Sequence, residues 1–242
     1  MRSTRTPTRS SRPSNSGTRS ACAARTVVVC LPPDTEPRLL PELATAKLHM
    51  RGLTANGVIP HFATRTRRAS KLIDRWHGVT SGGPIRLLDL DRMRHNAAAA
   101  AAAQWLLWHH VAAGTKPAQP FWWFADKHAM DPRYPADKAK ADYLAQPRIL
   151  AMATHNAMPQ RLVELPTSAL EAFQAGYGTY TNLAWLAAVP ADGLAPADGE
   201  HGGWLTARSE RLTDQLAYLH AANAHLSGLH RNVQLVAMAT PA

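Results

Sequence analysis

Seven consecutive alanines at residues 97–103, followed by Trp105-Leu106-Leu107-Trp108, restrict the fold more than any other stretch of this chain. Alanine is the strongest helix former and offers a strand little to pack. Residues 92 to about 113 are therefore expected to form one continuous helix, stopped by Gly114. From Ala97 onward it is apolar on nearly every side, which places it at the centre of the core. A membrane span is not expected. The apolar run 97–113 is 17 residues long, short of the roughly 20 needed, and it contains Gln104, His109 and His110.

Around this helix, short apolar runs alternate with helical spacing. Residues 26–31 read as a buried strand stopped by Pro32-Pro33, residues 58–60 as a brief edge strand, and residues 162–165 and 233–239 as further strands. Leu39, Leu40, Leu43, Lys47 and Met50 recur at helical spacing up to Gly52. Residues 64–77 read as a basic amphipathic helix around Leu72, Ile73 and Trp76, closed by Gly78. Further helices are expected over 136–144, 169–175 (capped by Thr167 or Ser168), 181–189, and from about Gly203 to Gly228. Residues 85–90 and 149–155 fit a strand or a helix equally, and residues 190–203 read as a loop. The alternation implies a helix-rich α/β fold, a central sheet of a few strands covered by helices on both sides. The alternative is a mostly α protein with minor strands. Residues 1–25 have almost nothing to bury and read as a disordered basic tail, ahead of a single globular domain over 26–242. Near 115–135, Pro117, Pro120, Pro132 and Pro135 surround Phe121-Trp122-Trp123-Phe124, which reads as a loop-rich aromatic junction.

The formal net charge of +10 is unevenly placed: residues 1–100 hold 17 Lys/Arg against 6 Asp/Glu, and residues 101–242 hold 10 against 11. Such a split favours nucleic acid or another polyanion as partner. Arg65, Arg67, Arg68, Lys71 and Arg75 are the expected contacts. No helix-turn-helix, zinc-finger or RNA-recognition signature accompanies them, so the association would be non-specific. The two cysteines, Cys22 and Cys30, form neither a disulfide framework nor a zinc knuckle, which suits a reducing cytoplasm, with Cys30 as a small buried hydrophobe. Residues 26–31 are too short for a secretory signal core, and Pro7 and Pro13 break any amphipathic transit helix. The Ala/Arg-heavy composition resembles that of bacterial proteins from GC-rich genomes.

No motif implies a cofactor or metal. Asp89 and Asp91 would share a face on a strand, but the simpler reading has Asp91 capping the following helix and Asp89 solvated or paired with an arginine. His220, His225 and His230 are five apart, which on a helix turns each about 140° from the last. Gly176-Tyr177-Gly178, Ser81-Gly82-Gly83 and His201-Gly202-Gly203-Trp204 each lack the partners that phosphate or oxyanion loops require. The remaining candidate is the span 121–156. There Asp126 could orient His128 as a base with His155 nearby, Trp122, Trp123 and Tyr134 could wall a pocket, and Arg133 or Arg148 could hold an anion. Three functions therefore stand open. One is a cytoplasmic bacterial protein associating non-specifically with nucleic acid through its basic N-terminal third. The second is an enzyme on a small phosphorylated or nucleotide-like substrate at 121–156. The third is an interaction subunit whose partner covers the aromatic segment.

Overall fold

The computed structural model describes residues 24–66, 70–196 and 203–241. The expected tail lies outside these residues except for its last two positions, as do Cys22, Arg67, Arg68, His201 and Gly202.

The first and last strands meet at the middle of the sheet. β1 (Arg25–Leu31) runs antiparallel to β7 (Gln234–Thr240), with Val28 opposite Ala237 and Val29 opposite Val236. β6 (Gly193–Ala195) lies parallel to β1 on its free side. β2 (Gly57–Val58) and β5 (Gly82–Pro84) share the other side of β7, pairing with its end and its start respectively. Period-two alternation sends Val28, Cys30, Leu235 and Ala237 to one face, and Val27, Val29, Leu31, Val236 and Met238 to the other. Both faces are covered. Helix α1 (Leu40–His49) sets Leu40, Ala44 and Leu48, four apart on one stripe, against the second face. Helix α8 (Leu212–Gly228) sets Leu219, Ala222 and Leu226 against the first. The fold is thus helix-rich α/β, with a mixed sheet and eight α-helices among the described residues.

A second core lies within the helices between β5 and β6 in sequence. Helices α2 (Leu90–Val111), α3 (Phe121–Met130), α4 (Ala136–Leu144), α5 (Pro147–Ala157), α6 (Leu170–Gln174) and α7 (Tyr177–Ala187) enclose Trp108, Phe124, Tyr143, Ile149, Met152, Phe173 and Tyr180. Its centre is an aromatic stack: Phe173 lies 5.1 Å from Trp108 and 4.2 Å from Tyr180, ring centre to ring centre. Leu183 on α7 touches both cores and joins the helical layer to the sheet layer. Among the described residues no helix is long and apolar enough to cross a membrane.

Several expectations need correction. Helix α2 is where the alanine run demands, but it is not central. Of its residues only Ala101 and Trp108 are buried, and Leu106 is 61% exposed. Alanine makes helix by intrinsic propensity and does not require burial to do so. Residues 121–130, expected as loop, are helix α3: Pro120 stands before its first turn and Pro132 after its last, where proline is tolerated. Residues 162–165 form no strand, and Leu162 is 98% exposed. Inside the expected loop 190–203, Gly193–Ala195 is a strand. The final helix begins at Leu212, later than expected. Of the carboxylate pair it is Asp89, not Asp91, that caps α2, accepting from the Arg92 N–H at 3.4 Å. Arg65 reaches both carboxylates, at 3.5 and 3.2 Å.

Residues 70–78 form no helix. Ile73 bridges Gly82, Trp76 bridges Val79, and the segment is the first arm of a β-hairpin. Threonines 64, 66 and 80, Ile73 and Val79 favour extended backbone, and His77-Gly78 supplies a two-residue turn that a helix cannot accommodate.

Candidate functional site

The hairpin is built from the turn outward. Trp76 and Val79 exchange two backbone hydrogen bonds, 2.8 and 2.9 Å, around His77 (φ 44°) and Gly78 (φ 84°). Two consecutive positive φ values define the turn type whose twist matches antiparallel strands. At the other end Ile73 and Gly82 are joined by a 3.0 Å bond, and the Thr80 hydroxyl donates to the Ile73 carbonyl. The second arm pairs outward as well, β4 (Val79–Thr80) with β3 (Phe62–Ala63), so the hairpin is held from both sides. Leu72 and Ile73 anchor it, one in each of the two sheet-face cores.

This anchoring leaves Asp74, Trp76 and His77 exposed. Trp76 is 71% exposed at the tip, its indole edge-on to the His77 ring at 4.7 Å. Arg75 is half-buried beside it and Lys71 is exposed at the base of the arm. Of the expected nucleic-acid contacts, Lys71 and Arg75 therefore share the hairpin, whereas Arg65 is engaged by Asp89 and Asp91. Trp76, expected on the packed side of a helix, is the residue that the sequence reading missed. The His-Gly pair between Trp76 and β-branched Val79 was the available signal.

The span 121–156 does not assemble as expected. Asp126 and His128 are two positions apart on α3, about 200° around the helix axis, so the carboxylate cannot orient the imidazole. Asp126 instead binds Arg211 at 2.6 Å, and the Arg211 guanidinium lies 4.6 Å over the Trp122 ring. His128 Nδ1 donates to the Tyr134 carbonyl at 2.7 Å, and the Tyr134 hydroxyl donates to Asp142. Arg148 is spent on Thr115 and Gln174 and packs over Trp108. His155 donates to the Val163 carbonyl at 3.0 Å and borders an open apolar groove with Leu107, Val111, Leu150 and Met158. Trp123 is 40% exposed next to Phe124, and Arg133 is exposed on the loop before α4. Asp126, His128, Arg148 and His155 are thus each taken up by a separate structural contact, and the span forms no common cleft.

A cleft of about 560 Å³ opens between α7, α8 and the start of β1, lined by Arg25, Asp192, Arg208, Glu210 and Tyr218 among others. Its inner polar groups are consumed by the fold. Tyr218 donates to the carbonyls of Pro190 and Ala191, and burial pushes its hydroxyl far above the ordinary phenol value. Asp192 accepts the Thr26 N–H at 2.7 Å. His61, held at 3.0 Å on the Val189 carbonyl, braces the same turn, and burial pushes its imidazole below the ordinary value. Among the described residues no three His, Cys, Asp or Glu side chains gather as a metal site would need.

These features define a helix-rich α/β protein carrying an exposed aromatic hairpin on one sheet edge. Comparison of the chain with protein-family models, with curated proteins and with solved structures finds no match.

Proposed function

We propose that the protein binds single-stranded nucleic acid through the hairpin at residues 73–82, with the basic N-terminal third supplying the electrostatic attraction and a cytoplasmic setting supplying the ligand. The observation that carries this reading is the exposed indole of Trp76 at the tip of a doubly braced hairpin. An exposed tryptophan on a rigid element costs solvation, gains nothing in packing, and presents a flat face on which a base can stack. Stacking of this kind is worth about 1–3 kcal/mol per base and is tolerant of sequence. Lys71 and Arg75 are placed on the same arm to meet phosphates, and the excess of 17 basic over 6 acidic residues in positions 1–100 favours approach of a polyanion.

Fluorescence anisotropy with a labelled oligothymidylate and with the matching duplex, at low and at physiological salt, tests the reading. The single strand is expected to bind more tightly than the duplex. Trp76→Ala should weaken it by about tenfold at fixed salt, while Lys71→Ala should flatten the salt dependence by somewhat less than one unit of slope. Absence of binding at low salt, or equal binding by Trp76→Ala, overturns it.

A further inference from the structure

Helix α1 carries a second apolar stripe that the fold leaves bare. Its first stripe, Leu40, Ala44 and Leu48, is buried on the sheet. Leu39, Leu43, Ala46 and Met50 recur at steps of four, three and four, and all of them are exposed, Met50 by 81%. Leu39 and Met50 cap the helix with helical backbone angles, so the stripe runs unbroken for about 16 Å. At 100° per residue its side chains fall within an arc of about 60°, roughly 130° round from the buried stripe. Alternating steps of three and four make the seam along which two helices interlock.

The charges beside the seam say which helix fits it. Glu42 and His49 stand on one flank, bordering an open groove of about 410 Å³ with Pro41, Thr45 and Ala46. Neither side chain makes a hydrogen bond or ion pair among the described residues. On the other flank Lys47 is already held, its Nζ donating to the Cys30 carbonyl at 3.0 Å. An acceptor and a donor two turns apart on one flank are self-complementary when the helix meets its own reverse.

We propose that this face of α1 binds a second copy of the chain, the two α1 helices lying antiparallel across a two-fold axis. Leu43 then packs on the partner's Ala46, Leu39 on the partner's Met50, and Glu42 accepts from the partner's His49, each contact made twice. A parallel pairing sets Ala46 against itself and turns Glu42 toward a lysine that is already engaged. Two helices of this length bury less than the roughly 800 Å² per partner of a standard interface, so the dimer is weak and reversible. The proposal uses no residue of the hairpin and stands or falls without nucleic-acid binding.

Sedimentation equilibrium of the full chain, free of nucleic acid and loaded from about 10 μM to 1 mM, tests it. Physiological salt screens the repulsion between two chains of net charge +10. The mass is expected to rise with concentration from one chain toward two. Leu43→Glu, at an exposed position, sets a carboxylate in the middle of the seam and should weaken association by about tenfold or more. Leu150→Glu, on the exposed face of α5, and Trp76→Ala should leave it unchanged. Glu42→Lys and His49→Glu should each weaken it by about threefold, and the double variant, which restores opposite charges across the axis, should return to near the parent. A monomer at every concentration, which leaves the stripe to the helix of another protein, overturns the proposal. So does association that survives Leu43→Glu or is lost in Leu150→Glu, and so does a double variant no tighter than the single ones.

Discussion

The carboxylate of Glu171 on α6 accepts the backbone N–H of Leu212, the first residue of α8, at 3.0 Å. The same oxygen accepts the Trp122 indole N–H at 3.1 Å. One side chain thus caps the helix that covers the sheet and pins α3 of the helical layer. A carboxylate at a helix N-terminus is also favoured by the helix dipole. Glu171→Ala is expected to lower stability by about 2–3 kcal/mol, and Glu171→Gln, which keeps an acceptor but not the charge, by about 1 kcal/mol. Urea denaturation of the two variants against the parent checks the order.

The hairpin turn can be improved. Its first central residue, His77, holds φ 44°, and asparagine before glycine is the preferred pair for a turn of this type. His77→Asn should raise stability by about 0.5–1 kcal/mol, and Gly78→Ala at φ 84° should lower it by about 1 kcal/mol or more. Thermal melts of both variants, with the anisotropy assay repeated on His77→Asn, show whether a firmer turn leaves the exposed indole functional.

Gly82 is required where β5 meets β7. A methyl group there would run into the Leu235 carbonyl oxygen, which belongs to the backbone of a central strand and cannot rotate away. Gly82→Ala should cost about 2–3 kcal/mol through strain, a loss to be read from the denaturation midpoint. Gly57→Ala serves as the contrast: its added methyl meets nothing within 4 Å, so any cost there comes from its φ of 113° alone.

Stability should fall on both sides of neutrality. Burial lowers His61 from its ordinary 6.5. As pH drops through that value the unfolded chain takes up a proton that the folded chain resists, and stability is lost. On the alkaline side, burial raises the Cys30 thiol from 9.0 and the Tyr180 hydroxyl from 10.0, each to about 12. The stability these groups confer is complete below pH 9 and is lost as pH rises toward 12. Urea midpoints measured between about pH 5 and 11 should trace this dome. His61→Gln, which can still donate to Val189, should flatten the acid limb, and Cys30→Ala the start of the alkaline one.

The two central strands of the sheet were legible because Val27-Val28-Val29 and Leu235-Val236 are continuous apolar runs that water excludes in any fold. The short edge strands were not: Gly193–Ala195 carries no β-branched residue and is a strand only because β1 has a free edge beside it. Proline misled the reading of α3, since Pro120 and Pro132 bracket a helix as readily as they break one. The basic segment misled it through spacing, for lysine and arginine at three- and four-residue intervals lie equally well on a helix or along an irregular hairpin arm. At the proposed site, the exposure of Trp76 depends on contacts between distant segments, which no local pattern encodes.

The pairing of β1 with β7 also sets the order in which the molecule can fold. The Thr240 hydroxyl donates to the Arg25 carbonyl across 215 positions of sequence. Residues 25–31 are therefore synthesised early but find no antiparallel partner until residues 234–240 have been made. The helices between them close through much shorter loops and can collapse around Phe173 beforehand. For most of synthesis a Val-Val-Val-Cys-Leu edge waits unpaired, and a chain stalled before β7 would carry it as an aggregation template.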